Sequence, residues 1–265
     1  MIFDQSRQMR SAKFLAIPLL LSTILSAQAA TSEWTETPGG KVRIILEDKK
    51  SGEEQRGALQ INLNPGWKTY WRNPGDAGVP PQINIEGDTL ARIDFPTPVY
   101  FGDGDEGGIG YKQSVSLPLT FTLKPGDDRL KGNVFLGVCD KICIPVQAQF
   151  DFPLHQTTEQ SPQAIATRTI IETAFDRLPA PASADFGIKS AKRTDNKAIF
   201  EVALPDTTTP AELFVGSEQL NLSEAKPDGP SRFTAMLYNE AKHGTLVDYT
   251  LVQNGKAVSG QVKLD

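Results

Sequence analysis

Gly137-Val138-Cys139-Asp140-Lys141-Ile142-Cys143-Ile144-Pro145 holds the only two cysteines in the 265-residue chain. They stand four positions apart. Asn133–Val138 runs up to the first, and Ile144–Phe152 leads away from the second. Both flanks read as strands. The spacing therefore predicts a hairpin with both sulfurs at its tip. Residues so placed can bring their Cα atoms near the ~5.5 Å of a disulfide.

Three kinds of chemistry suit such a pair. A structural staple is one, but closing so short a loop stabilises by only about 2 kcal/mol on a chain-entropy argument. A metal site is another. Zinc would need about two more Cys or His ligands, and only His155 and His243 exist. Copper favours methionines, and only Met236 lies beyond the first thirty residues. Reversible thiol–disulfide exchange is the third. It needs a thiolate and access to the sulfur, and a hairpin tip offers access. Asp140 disfavours a thiolate and Lys141 favours one, so the sequence neighbours leave reactivity open. All three readings stand at this point.

The flanking segments are of one kind. Glycine and proline are plentiful, with 22 and 19 residues. Short apolar-alternating runs separated by turn residues point to β-sandwiches. Lys41–Glu47, Ala58–Leu63, Gln82–Ile85, Ala91–Phe95, Ser114–Leu123 and Leu130–Val138 read as strands of a first unit. Pro118 within one of them is tolerated only near an edge or bulge. Asn64–Pro81 is dense in aromatics between the turn signals Pro65-Gly66 and Pro74-Gly75. Trp67 reads as core, and Tyr70 or Trp71 could form a wall of the cysteine site. Tyr100–Tyr111, with five glycines and three carboxylates, reads as a mobile surface loop rather than an element. Its Asp103-x-Asp105 spacing lacks the remaining ligands of a calcium loop. Ala30–Gly40 reads as a flexible lead-in.

After Pro153 the pattern changes. Ser161-Pro162 has the form of a helix cap and first turn. Ile171, Ala174, Phe175 and Leu178 recur at helical spacing, which predicts a helix over Thr167–Leu178. A Pro/Ala-rich stretch follows. Phe186–Lys189, Ala198–Leu204, Glu212–Val215, Phe233–Tyr238, Val247–Val252 and Val258–Leu264 then read as a second, cysteine-free sandwich. His243 and His155 read as surface histidines. The expected organisation is residues 1–29, 38–154, 155–184 and 185–265: a leader, a first β domain, a helical linker and a second β domain.

The leader has the form of a secretory signal peptide. Arg7, Arg10 and Lys13 precede the apolar run Phe14–Leu25, and Ala27-Gln28-Ala29 is a small-x-small cleavage site. The run is too short for the ~20 residues that span a bilayer. Export to the periplasm is expected, where a disulfide can persist. Without residues 1–29 the formal charge moves from −5 to −7, which argues against nucleic acid or an anionic membrane surface as partner. No later segment suggests a membrane span.

Tyr111-Lys112, Leu117-Pro118 and Gly137–Pro145, together with Trp67-Lys68-Thr69-Tyr70-Trp71-Arg72-Asn73-Pro74-Gly75-Asp76-Ala77-Gly78, resemble the periplasmic N-terminal domain of DsbD-type disulfide reductases. The cysteine spacing places the likeness in the ScsB-like, copper-sensitivity-suppressor branch. The resemblance covers Lys41–Leu154. It implies an immunoglobulin-like sandwich, with a second such domain after it, and hence an all-β chain of two sandwiches joined by a short helical connector. It implies that Cys139 and Cys143 are the catalytic pair, taking electrons from a membrane reductase and passing them to periplasmic thioredoxin-fold proteins, with no metal and no cofactor. Cys143 is the expected attacking sulfur and Cys139 the resolving one. Phe101 would be the ring of a cap loop over the sulfurs, with Asp103, Asp105 and Glu106 as its carboxylates and Tyr70 as a neighbour. Because the sequence reaches Asp265 without an electron conduit, the reductase is expected to be a separate protein. The alternative is a non-catalytic binding module or copper-tolerance accessory with a structural disulfide.

Overall fold

The structure, a computed structural model, describes residues 30–47, 54–75, 78–87, 89–102, 107–124, 126–154 and 161–265. The proposed leader over residues 1–29 and His155 lie outside the described residues. No helix among the described residues is long and apolar enough to cross a membrane.

In chain order the first β unit comprises β1 (Thr35–Thr37), β2 (Gly40–Leu46), β3 (Gln55–Leu63), β4 (Lys68–Tyr70), β5 (Gln82–Ile85), β6 (Leu90–Ile93), β7 (Val99–Phe101), β8 (Gly108–Tyr111), β9 (Val115–Thr122), β10 (Arg129–Cys139) and β11 (Cys143–Pro153). They form two sheets of antiparallel neighbours. One runs β1-β2-β3-β9-β6 and the other β11-β10-β4-β8-β7, with β5 also paired to β10. Side chains alternate across each strand. Val42, Ile44, Leu59, Ile61, Leu117 and Leu119 from the first sheet meet Leu130, Val134, Leu136, Val138, Val146 and Phe150 from the second in one core. This is the sandwich the pattern predicts.

Three details correct the reading of the sequence. The lead-in is structured: Thr31 bridges Ile45 and β1 pairs β2. The ends of Tyr100–Tyr111 are strands, β7 and β8 paired with each other; their buried residues were hidden by a glycine-rich composition. Pro118 sits in an interior strand. Its carbonyl accepts Asp94 N–H at 2.9 Å, so its nitrogen faces the same side, just past the last β6 pair, Ile93 with Leu119. The missing N–H removes only the return bond to Asp94, at the end of the β6 ladder.

Helix α1 spans Pro162–Asp176, and the Ser161 hydroxyl accepts the Ala164 N–H at 3.1 Å as its N-cap. The cap and proline signals were right. The helix begins five residues before Thr167 and ends two residues short of Leu178. Ile171 and Ala174 pack on Ile45 and Ala58, so the helix rests on the outer face of the first sheet.

The second β unit contains β12 (Ala180–Pro181), β13 (Gly187–Thr194), β14 (Lys197–Ala203), β15 (Ala211–Gly216), β16 (Lys226–Pro227), β17 (Arg232–Met236), β18 (Thr245–Gln253) and β19 (Lys256–Leu264). Their order is β15-β18-β19-β13-β14-β17-β16. The two halves join through one parallel register pair, Ala191 with Leu264. They close over a shared core that includes Phe200, Val202, Leu213, Phe233, Val247 and Leu251. Among the described residues both halves are β and sandwich-like, apart from α1.

Candidate functional site

β10 and β11 pair in unbroken register from Arg129 with Pro153 to Cys139 with Cys143. Asp140, Lys141 and Ile142 are the turn, and all three are exposed. The cysteines are therefore direct cross-strand neighbours, as their spacing predicts. Both are free thiols, with sulfurs 2.7 Å apart. Cys139 is buried and Cys143 is half-buried.

Alternation decides which face they occupy. Leu136 and Val138 point into the core, so Gly137 and Cys139 point away from it. The site lies on the outer face of the second sheet, at its end. β4 pairs with this end of β10, Thr69 opposite Val138 and Lys68 opposite Cys139, and the Thr69 hydroxyl donates to the Gly137 carbonyl at 2.9 Å. That pairing carries Tyr70 over the sulfurs. Its hydroxyl lies 2.6 Å from Cys143 Sγ.

The Tyr70 ring lies against two glycines. A Cβ at Gly137 would stand 3.0 Å from its Cδ2 and Cε2, and one at Gly78 would stand 2.7 Å from its Cδ1 and Cε1. A side chain at either position would crowd the ring.

Phe101 closes the other side. It is buried and packs with Tyr70, Cys139 and Cys143 in one small cluster. The Tyr70 and Phe101 rings are 5.7 Å apart at 48°. Lys68 Nζ sits 5.6 Å from the Phe101 ring centre, within cation–π range. Of the residues singled out in the sequence, the fold thus brings together Cys139, Cys143, Tyr70 and Phe101. Asp103, Asp105 and Glu106 lie outside the described residues. Trp71 is not a wall of the site: it is buried in the core, with Phe95 and Phe214 edge-on to it at 6.3 Å each. Trp67 packs at the margin of that core. His243 is exposed on the second unit, 3.6 Å from an Asp265 carboxylate oxygen.

The electrostatics bear on the buried sulfur. Burial, and then the hydrogen bond with Cys143, push the Cys139 thiol above its usual value; Tyr70 and Lys68 pull it down by less. Burial pushes the Tyr70 phenol up, and both cysteines add to that, so Tyr70 remains a protonated donor at neutral pH. Lys68 was missed as a neighbour of Cys139, because only strand pairing reveals it. The Cys139 shift is set chiefly by burial and Cys143, with Tyr70 and Lys68 opposing it. Among the described residues no three His, Cys, Asp or Glu side chains gather as a metal site would require.

The arrangement is a pair of adjacent thiols, one recessed and one more exposed, with a phenol hydroxyl in hydrogen-bond contact with the more exposed sulfur and an aromatic lid. A thiolate on Cys143 would accept that hydrogen bond, and charge-assisted bonds are the stronger kind.

Residues 41–154 match the family model for the N-terminal region of thiol:disulfide interchange protein DsbD, in line with the resemblance read from the residues. The crystal structure of the N-terminal periplasmic domain of ScsB from Proteus mirabilis has the same fold, with a TM-score of 0.71 at 19% identity. The match covers 89% of this chain and 99% of that one, so it spans both β units. No curated protein matches the chain.

Proposed function

We propose, from the premise that residues 41–154 are a DsbD N-terminal-type domain of a thiol–disulfide interchange family, that the chain works in the periplasm as a reductant of thioredoxin-fold proteins through Cys139 and Cys143. The observation that carries this reading is the Tyr70 hydroxyl on Cys143 Sγ at 2.6 Å: a donor placed on the more exposed sulfur serves a thiolate, and a buried staple has no use for one.

The reaction begins from the reduced pair. The Cys143 thiolate attacks one sulfur of the partner's disulfide. A mixed disulfide forms and the partner's other sulfur leaves as a thiolate, which takes up a proton. Tyr70 stabilises the Cys143 sulfur while it carries charge. Cys139 then gives up its proton and attacks the Cys143 sulfur. The Cys139–Cys143 disulfide forms and the partner leaves with two thiols. Two electrons and two protons have moved to the partner. A raised thiol suits Cys139 to this second step, since it stays protonated until the mixed disulfide is beside it. A separate membrane thiol reductase would return the two electrons.

Phe101 supports the reading as a lid. It lies over the pair, so the sulfurs meet a partner only when the β7–β8 hairpin yields. Residues 1–29 have the form of a leader that would deliver the chain to the periplasm, and residues 155–184 would link the exchange domain to the second β domain.

The test is the reduction potential of the pair, by equilibration of purified protein with glutathione or dithiothreitol buffers. Exchange requires a value between about −180 and −270 mV, where working oxidoreductases lie; a value below about −300 mV would mark a structural bond and end this reading.

A further inference from the structure

Both aromatic walls of the cysteine site are tied, one residue away in sequence, to the same side chain of the second β unit. Tyr70 faces the sulfurs and its neighbour Trp71 faces Phe214, with ring centres 6.3 Å apart. Phe101 faces the sulfurs and its neighbour Tyr100 lies against Phe214, with ring centres 4.5 Å apart. Phe214 is fully buried. It packs with the core of the first unit, although its strand, β15, belongs to the second. The Tyr100 hydroxyl also donates to the Leu213 carbonyl at 3.0 Å.

Strand geometry turns these contacts into a linkage. Successive residues of an extended chain point to opposite faces. Tyr100 cannot leave Phe214 without moving Phe101, and Trp71 cannot without moving Tyr70. β7 is an outer strand three residues long and, among the described residues, pairs only with β8. So short an edge strand is weakly held by its own ladder, and the second unit supplies its other tether. The chain beyond Trp71 is fastened to the same unit. Arg72 forms an ion pair with Asp248 at 2.6 Å, and Asn73 Nδ2 donates to the carbonyls of Val215 and Leu222 at 2.8 and 3.0 Å.

We infer that Phe214, with Tyr100, is a positioning residue for the exchange site: the second β unit holds the Phe101 lid and the Tyr70 donor over Cys139 and Cys143. The inference deepens the exchange reading and gives the cysteine-free unit a task in it. Loosening the contact lets the lid open more often, so small reagents reach Cys143 faster, while the Tyr70 donor is less often in place for exchange.

The experiment uses the full chain in a Cys139→Ser background, so that Cys143 is the one thiol. Its alkylation by iodoacetamide is timed at fixed pH. If the lid opens locally, Phe214→Ala should speed alkylation by about tenfold and Tyr100→Phe by about threefold. Val202→Ala removes methyl groups from the second unit's own core, away from both rings, and should leave the rate unchanged. Should Phe214→Ala fail to fold, as its circular dichroism would reveal, Tyr100→Phe decides alone. A rate equal to the parent in the folded variants, or an equal acceleration by Val202→Ala, overturns the inference. Exchange of the two-cysteine chain with oxidised thioredoxin is measured in parallel. No exchange there, with alkylation still responding to Phe214→Ala, would sink the exchange reading and leave the positioning role intact.

Discussion

The hydroxyl of Tyr70 lies 2.6 Å from the sulfur of Cys143, across 73 positions of sequence. β4 delivers the phenol to the end of β10, and Gly78 and Gly137 leave room for its ring. The contact joins a donor that stays protonated to the more reachable sulfur of the pair. Four predictions follow from it and its surroundings.

Tyr70→Phe keeps the ring and removes the donor. A hydrogen bond to a charged partner contributes about 1.5–3 kcal/mol. The exchange rate with oxidised thioredoxin should fall about tenfold or more, each factor of ten being about 1.4 kcal/mol. Stopped-flow fluorescence would follow it. An unchanged rate would mean that the phenol only packs.

Single-cysteine variants separate the sulfurs. Cys139→Ser should accumulate a mixed disulfide with a thioredoxin-fold partner, because Cys143 can attack and nothing resolves. Cys143→Ser should trap far less, since Cys139 is buried and its thiol is raised. Non-reducing electrophoresis shows the adducts, and equal yields from the two variants would refute the assignment.

Gly137→Ala places a methyl 3.0 Å from the Tyr70 ring. Overpacking of this kind costs about 1–3 kcal/mol. The same substitution should cost less once Tyr70 is Ala, because the ring it strikes is gone. A double-mutant cycle by urea unfolding measures that coupling. Simple additivity would show that the ring can move aside freely.

Stability of the reduced protein should depend on pH through Cys139. Its folded thiol is raised above the unfolded value, chiefly by burial. A raised value means the native state holds the proton to higher pH than the unfolded chain does. The stabilisation is therefore complete below the ordinary thiol range, about pH 8.5, and is lost as pH rises toward the folded value. Urea unfolding under reducing conditions at pH 7, 8, 9 and 10 should show a decline that Cys139→Ser flattens. A decline of the same size in Cys139→Ser would assign it to other groups.

Much of the fold was legible because strands and turns are local. Leu59, Ile61 and Leu63 alternate, and so do Val146, Ala148, Phe150 and Phe152; turn residues mark the ends of such runs. Ser161-Pro162 marked the start of α1 through the geometry of a cap. Composition misled where it was averaged over a window. Phe101 and Gly108–Tyr111 are strand residues, yet the glycines and carboxylates beside them gave the whole stretch the look of a loop. Thr35–Thr37 was passed over because three residues make no period.

Cys139 and Cys143 as a facing pair follow from the sequence by itself. Strands on either side and three residues between leave the backbone one short way to turn. The alternating runs likewise determine two β halves, each with an apolar inner face. Everything around the sulfurs was decided by tertiary structure. Tyr70, Phe101 and Lys68 reach them through strand pairing, and Phe214 supports the rings from the other unit. Sequence spacing constrains side chains only within a few residues. Contacts across 73 positions depend on which strands lie side by side and which face each residue takes, and the packing of the whole core settles both.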